Sequence, residues 1–146
     1  MDDLQAPSAT PATRVLVIDD SNTIRRSAEI FLRQGGHEVL LAEDGFDALA
    51  KVNDHAPQLI FCDILMPRLD GYQTCAIIKR NPKFAHVPVI MLSSKDGLFD
   101  KARGRMVGSE DYLTKPFTKD QLLRAVQQFC GAVAADGGAV DTVPDA

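Results

Sequence analysis

Short β-prone runs alternate with segments of helical spacing five times along this chain, and that alternation limits the fold more than any other feature of the sequence. RVLVID, HEVLLA, QLIFCD, VPVIML and EDYLT read as strands. SNTIRRSAEIFLRQ, DGFDALAKVND, LDGYQTCAIIKR, GLFDKARGRM and TKDQLLRAVQQFC read as helices. Ile24, Ala28, Phe31 and Leu32 fall on one helical face, and Leu122, Val126 and Phe129 repeat the pattern near the end. Ser21, Asp44 and Thr118 stand where N-caps belong, Thr118 with Gln121 as a capping box, and Gly35-Gly36 is a helix stop. The strands are continuous aliphatic runs, as burial on both faces requires. Strict βα alternation predicts an α/β fold: a doubly wound five-stranded parallel sheet with helices on both faces and right-handed crossovers.

Length and composition agree with one globular domain. A chain of 146 residues with 45% hydrophobic and 25% charged residues can bury a core of its own. MDDLQAPSATPAT, residues 1–13, and the stretch 131–146 lack periodic apolar pattern and read as a flexible leader and tail around a domain at 14–130. A net charge of −4 argues against nucleic acid as the partner of the whole chain. Lys101, Arg103 and Arg105 read as a solvated helix face. Cys62, Cys75 and Cys130 show neither CxxC spacing nor metal-ligand spacing to histidines, so they read as reduced core or near-core residues. With no secretory pattern and no apolar run near the roughly 20 residues of a membrane span, a cytoplasmic location without membrane insertion is expected.

The chemistry lies at the strand ends. Folds of this kind place their sites beyond the carboxyl ends of the strands, where strand order reverses. For the order 2-1-3-4-5 that point falls between the first strand, ending in Asp19-Asp20, and the third, ending in Asp63. Carboxylates gathered there repel by about 4 kcal/mol per pair at about 4 Å and an effective dielectric of about 20. A hard divalent cation relieves this, and Mg2+, which needs only one or two protein carboxylates beside other oxygens, fits better than calcium or zinc. Asp19 or Asp20 alone reads equally well as a helix cap. Together with Asp63 they favour a cation site. Ser93 ends the fourth strand and Lys115 follows the fifth. A nucleophilic carboxylate, a cation, a hydroxyl and an ammonium are what an acyl phosphate needs in order to form and persist.

VLVIDD, CDILMPRLDG, VIMLSS and YLTKPF, in this order, closely resemble the receiver domains of bacterial two-component response regulators, the CheY-like family with a flavodoxin-like fold. The resemblance covers Arg14 to Cys130. SNTIRRSAE, MPRLDGYQTC and VIMLSSKDGLFDKARGR look most like the members that control twitching motility by type IV pili. It implies that Asp63 is the phosphoacceptor, and that Asp20, Asp63 and the Leu65 carbonyl bind Mg2+ directly, with Asp19 acting directly or through water. Ser93 and Lys115 would hold phosphoryl oxygens, Tyr112 would be the aromatic switch, and the Lys115-Pro116 peptide would be cis. The implied partners are a histidine kinase of the CheA-like type and a downstream protein bound through the fourth helix, fifth strand and fifth helix. The implied role is that of a stand-alone signalling switch rather than an enzyme.

Other readings meet obstacles. A haloacid-dehalogenase-type phosphatase needs a second aspartate where Leu65 stands, and a nucleotide binder needs a glycine-rich loop that DDSNTI lacks. A phosphate sink that drains a shared kinase needs the same residues as an effector and stays open. Leu65 and Lys95 replace the polar or acidic side chains common at these two positions in chemotaxis-type members, and Leu65 cannot orient a hydrolytic water by hydrogen bonding, which bears on the lifetime of the phosphorylated state.

Overall fold

The computed structural model describes residues 12–94 and 99–131. Five strands, β1 (Arg14–Ile18), β2 (Glu38–Ala42), β3 (Leu59–Asp63), β4 (Val89–Ser93) and β5 (Asp111–Thr114), form one parallel sheet in the order β2-β1-β3-β4-β5. Between and after them run α1 (Asn22–Gln34), α2 (Gly45–His55), α3 (Gly71–Arg80), α4 (Lys101–Met106) and α5 (Lys119–Val126). The expected architecture and strand order are both observed.

Side chains alternate across a strand, and here the alternation divides one apolar run between two cores. Leu16, Ile18, Ile60, Cys62 and Met91 face α2 and α3, meeting Ala48, Val52, Cys75 and Ile78. Val15, Val17, Leu59, Phe61, Ile90 and Leu92 face α1 and α5, meeting Ala28, Leu32, Leu122 and Val126. Each such aliphatic or aromatic side chain contributes about 1.5–3 kcal/mol on full burial, so the layers hold the strand ends in fixed register. Cys62, Cys75 and Cys130 are free thiols, the first two buried and the third half-buried.

The caps fall where expected. Ser21, Asp44 and Thr118 each accept the third helical N–H of their helices, Thr118 in a capping box with Gln121. Asp70 and Gln73 form a second capping box at α3. Gly36, at φ +86°, ends α1 by a Schellman arrangement: His37 N–H donates to the Leu32 carbonyl at 3.1 Å and Gly36 N–H to that of Arg33 at 2.9 Å.

Two helices depart from expectation. The fourth was expected over 97–106, but α4 begins at Lys101 because Asp100 is its N-cap, accepting the Arg103 N–H at 3.0 Å. Gly97 and Leu98 lie outside the described residues, as does Lys95. The last helix is α-helical only to Val126 and widens into a π turn over Gln127–Gly131, where the Gln127 side chain lies against the space a Cβ on Gly131 would fill.

Candidate functional site

The five strands converge on the edge that the alternation picks out. Asp19 follows β1 directly, its N–H donating to the Ala42 carbonyl at 3.1 Å, while Asp63 is the last residue of β3. Both are buried, and Asp20 beside them is exposed. One carboxylate oxygen from each of the three lies within 4.8 Å of the others. Asp19 does not cap α1, since Ser21 does; its Oδ1 accepts the Ser21 N–H at 2.9 Å. One oxygen of this buried carboxylate is thereby fixed by the turn, and the other is free to face the site.

Lys115 supplies the positive charge. Its Nζ donates to Asp19 Oδ2 at 3.1 Å and to Asp63 Oδ1 at 3.0 Å, joining β5 to β1 and β3 across the sheet edge. The Lys115-Pro116 peptide is cis. Burial and the neighbouring Asp19 charge push the Asp63 carboxyl up to about 6, although Lys115 pulls the other way. Burial alone would lower the Lys115 ammonium, but its hydrogen bonds to Asp63 and Asp19 and the charges of both outweigh it and hold the group above its ordinary value.

Asp20, Asp63, Leu65, Ser93, Ser94 and Lys115 line a cavity of about 230 Å³ at this edge. Leu65 is 70% exposed, on the rim. Ser93 is buried, with its hydroxyl donating to the Ser94 carbonyl at 3.3 Å. Tyr112 stands apart, half-buried on β5 opposite Met91, and does not line the cavity. The predicted residues are thus together except for Tyr112, which lies earlier on β5, away from the carboxyl edge where Lys115 follows that strand.

Two neighbours escaped the sequence reading. Gly71, the first residue of α3, packs so closely under β3 that a Cβ there would meet the Asp63 carbonyl oxygen and come within 2.8 Å of the Ile64 Cα, and its N–H donates to Ile64 at 2.8 Å. The signal was available in LDG, a glycine directly behind an N-cap aspartate. Phe99, placed inside the expected fourth helix, instead precedes the cap and stacks on Tyr112 with ring centroids 4.4 Å apart.

The donor set suits a small hard cation. Three carboxylate oxygens at this spacing, one of them from the exposed Asp20, leave coordination positions for water ligands, as octahedral Mg2+ requires. The sequence matches the response regulator receiver domain over residues 15–127. The chain belongs to that family. The receiver is 66% identical over 114 residues to protein PilG of Pseudomonas aeruginosa, a match covering 78% of this chain and 84% of PilG. It is 36% identical to protein PilH of the same organism, over 77% of this chain and 93% of PilH. The receiver also superposes on the chemotaxis protein CheY4 of Vibrio cholerae with a TM-score of 0.77 at 31% identity, covering 82% of this chain and 99% of that one. Membership makes this a signalling protein rather than a classical enzyme. Among the described residues no helix is long and apolar enough to cross a membrane.

The raised Asp63 value has a measurable consequence. A carboxyl near 6 when folded and near 3.8 otherwise binds more protons in the folded state between those values. Metal-free stability is therefore greatest at the acid end of this window and falls as pH rises through about 6, by an amount on the order of 2–3 kcal/mol. Lys115, held above its ordinary value, contributes stability that is lost only at alkaline pH, outside the window. Melting curves in chelator should fall between pH 5 and 7.5 for wild type and stay flatter for Asp63→Asn, which should melt higher at pH 7.5. Parallel profiles for the two proteins would show that Asp63 is not the strained group.

Proposed function

We propose that residues 14–130 form a phosphorylation-operated switch in which Asp63 accepts a phosphoryl group from a histidine kinase and a changed surface engages a downstream protein. The observation that carries this reading is the Lys115 ammonium lying 3.0 Å from Asp63, with Asp19 and Asp20 beside it, on a cavity that Ser93 also lines. An Asp63 oxygen attacks phosphorus, the P–N bond to the kinase histidine breaks, and its electron pair stays on the imidazole. Asp19, Asp20, Asp63 and the Leu65 carbonyl would hold Mg2+, whose charge offsets that of the incoming phosphoryl oxygens. Ser93 and Lys115 are the donors available to the remaining oxygens, for which Lys115 would exchange a carboxylate contact. Burial of Asp19 and Asp63 keeps these groups oriented before the phosphoryl group arrives.

The high identity to PilG and the resemblance to regulators of twitching motility support a chemotaxis-like role in type IV pilus control, with a CheA-like kinase as donor and the α4, β5 and α5 face as output. Phosphotransfer from purified candidate kinases, followed by capture of partners with phosphorylated and unphosphorylated protein, tests this. Transfer to Asp63 with a partner retained only after phosphorylation is the expected result. Transfer without any such partner would favour the phosphate sink, and no transfer from any kinase would overturn the proposal.

A further inference from the structure

α4 has little of its own to hold it. It is six residues long, and only Gly104 on it is buried. Its attachment to the sheet is instead a file of three rings. Phe99, just before the Asp100 cap, lies between Tyr72 of α3, at 6.2 Å between centroids with planes 16° apart, and Tyr112 of β5, at 4.4 Å and 25°. These are stacked arrangements at the separations aromatic pairs favour.

Several further fastenings of α4 act on the same rings, beside the Arg103–Asp70 ion pair at 3.8 Å and the Ser109 hydroxyl and N–H that donate to the Gly104 carbonyl. The Tyr72 hydroxyl accepts the Asp100 N–H at 3.0 Å. The Arg103 guanidinium covers the Tyr72 ring at 4.4 Å, and the Lys101 ammonium stands 5.7 Å from the centre of Tyr112. Gly104 is the floor beneath Phe99, where a Cβ would fall 2.6 Å from its Cζ. The basic residues of α4, expected to be a solvated face, are exposed but partly spent on these tyrosines. Tyr72 is itself only 5% exposed and anchored in the core, so it is the fixed end of the file. Tyr112, half-buried at the outer strand, is the less enclosed end.

We propose that Phe99 is the positioning residue that converts a change in the Tyr112 ring into a change in the placement of α4. Resting on the proposed switch, this adds a specific link to it. Phe99 occupies the space on the α3 side of Tyr112, so a rearrangement of Tyr112 must carry or release Phe99, and with it the cap and first turn of α4. Leucine at this position would fill part of the volume without stacking. A methyl group at Gly104 would displace the ring while leaving it in the sequence.

Tyr72 and Tyr112 are the only two tyrosines and there is no tryptophan, so the tyrosine near-ultraviolet circular dichroism reports on this file directly. The experiment compares wild type, Phe99→Leu, Phe99→Tyr and Gly104→Ala in Mg2+ before and after acetyl phosphate. Three readouts are taken: phosphate on Asp63, the tyrosine dichroism of the proteins that keep Tyr72 and Tyr112 as their only tyrosines, and amide shifts over residues 101–106. Phe99→Leu and Gly104→Ala should incorporate phosphate and lose most of the α4 amide shifts, whereas Phe99→Tyr should keep them. Full incorporation with undiminished α4 shifts in both Phe99→Leu and Gly104→Ala would overturn the inference alone. Failure of wild type to incorporate phosphate would overturn the switch on which it rests, a result the first readout separates from the other two.

Discussion

Asp63→Asn should reduce phosphate incorporation from acetyl phosphate to background, and excess chelator should do the same to wild type. The amide removes the nucleophilic oxygen while keeping the shape of the side chain and one acceptor for Lys115, so the loss is chemical rather than structural. Its neighbours are poorly placed to substitute. Asp19 is fully buried, with Oδ1 tied to the Ser21 N–H and Oδ2 to Lys115. Asp20 is exposed, so its carboxylate is less firmly held in line for attack, and phosphate there would be sparse and poorly retained. Intact-protein mass spectrometry with site mapping decides the matter. Undiminished incorporation in Asp63→Asn, or full incorporation by wild type in chelator, would show that the acceptor is elsewhere or that no cation is needed. The melting behaviour of the same variant serves as the control for folding, since removal of a strained buried carboxylate is expected to leave the metal-free protein more stable at neutral pH.

Most of the fold could be read because its determinants are local or periodic. VLVIDD shows a strand buried on both faces and then shows where it stops, and Ser21, Asp44 and Thr118 mark helix starts by a chemistry that needs no tertiary context. Asp19, Asp20 and Asp63 could be placed together because parallel topology sends strand ends to one edge. Less legible were features fixed by contact between elements distant in sequence. Asp100 is as good an N-cap as Ser21, yet GLF ahead of it looks helical, and only packing between Tyr72 and Tyr112 gives Phe99 a reason to stand outside the helix. Gly71 carries no periodic signal, for its necessity comes from the approach of α3 to the Asp63 carbonyl. The partners of Lys115 were also hidden. A strand-end lysine reads as a phosphate ligand, whereas in the structure it is occupied in offsetting two buried carboxylates, a role that depends on the depth of Asp19 and no single motif records.

That second occupation makes Lys115→Met the substitution with the largest expected effect on stability. Methionine keeps much of the aliphatic volume and removes the ammonium, leaving Asp19 and Asp63 buried and facing each other without a cation. Removing one partner of a buried ion pair typically costs about 3–5 kcal/mol, because the charge left behind is uncompensated. Asp63 limits the loss. Already raised to about 6 with Lys115 in place, its carboxyl moves further up once the ammonium is gone, and taking up a proton relieves its repulsion with Asp19 and offsets part of the cost. Two consequences follow that simple loss of packing would not produce. Metal-free Lys115→Met should regain stability on acidification over a window extending to higher pH than in wild type, since its folded-state carboxyl holds a proton further up the scale. Mg2+ should raise its melting temperature more than that of wild type, because the added cation replaces a missing charge instead of competing with one already present. Denaturant titrations at pH 5.5 and 7.5, with chelator and with saturating Mg2+, measure both effects. A variant equally destabilised under all four conditions would mean that Lys115 serves the metal-free protein through its methylenes and not its charge, and the electrostatic account of the site would have to be abandoned.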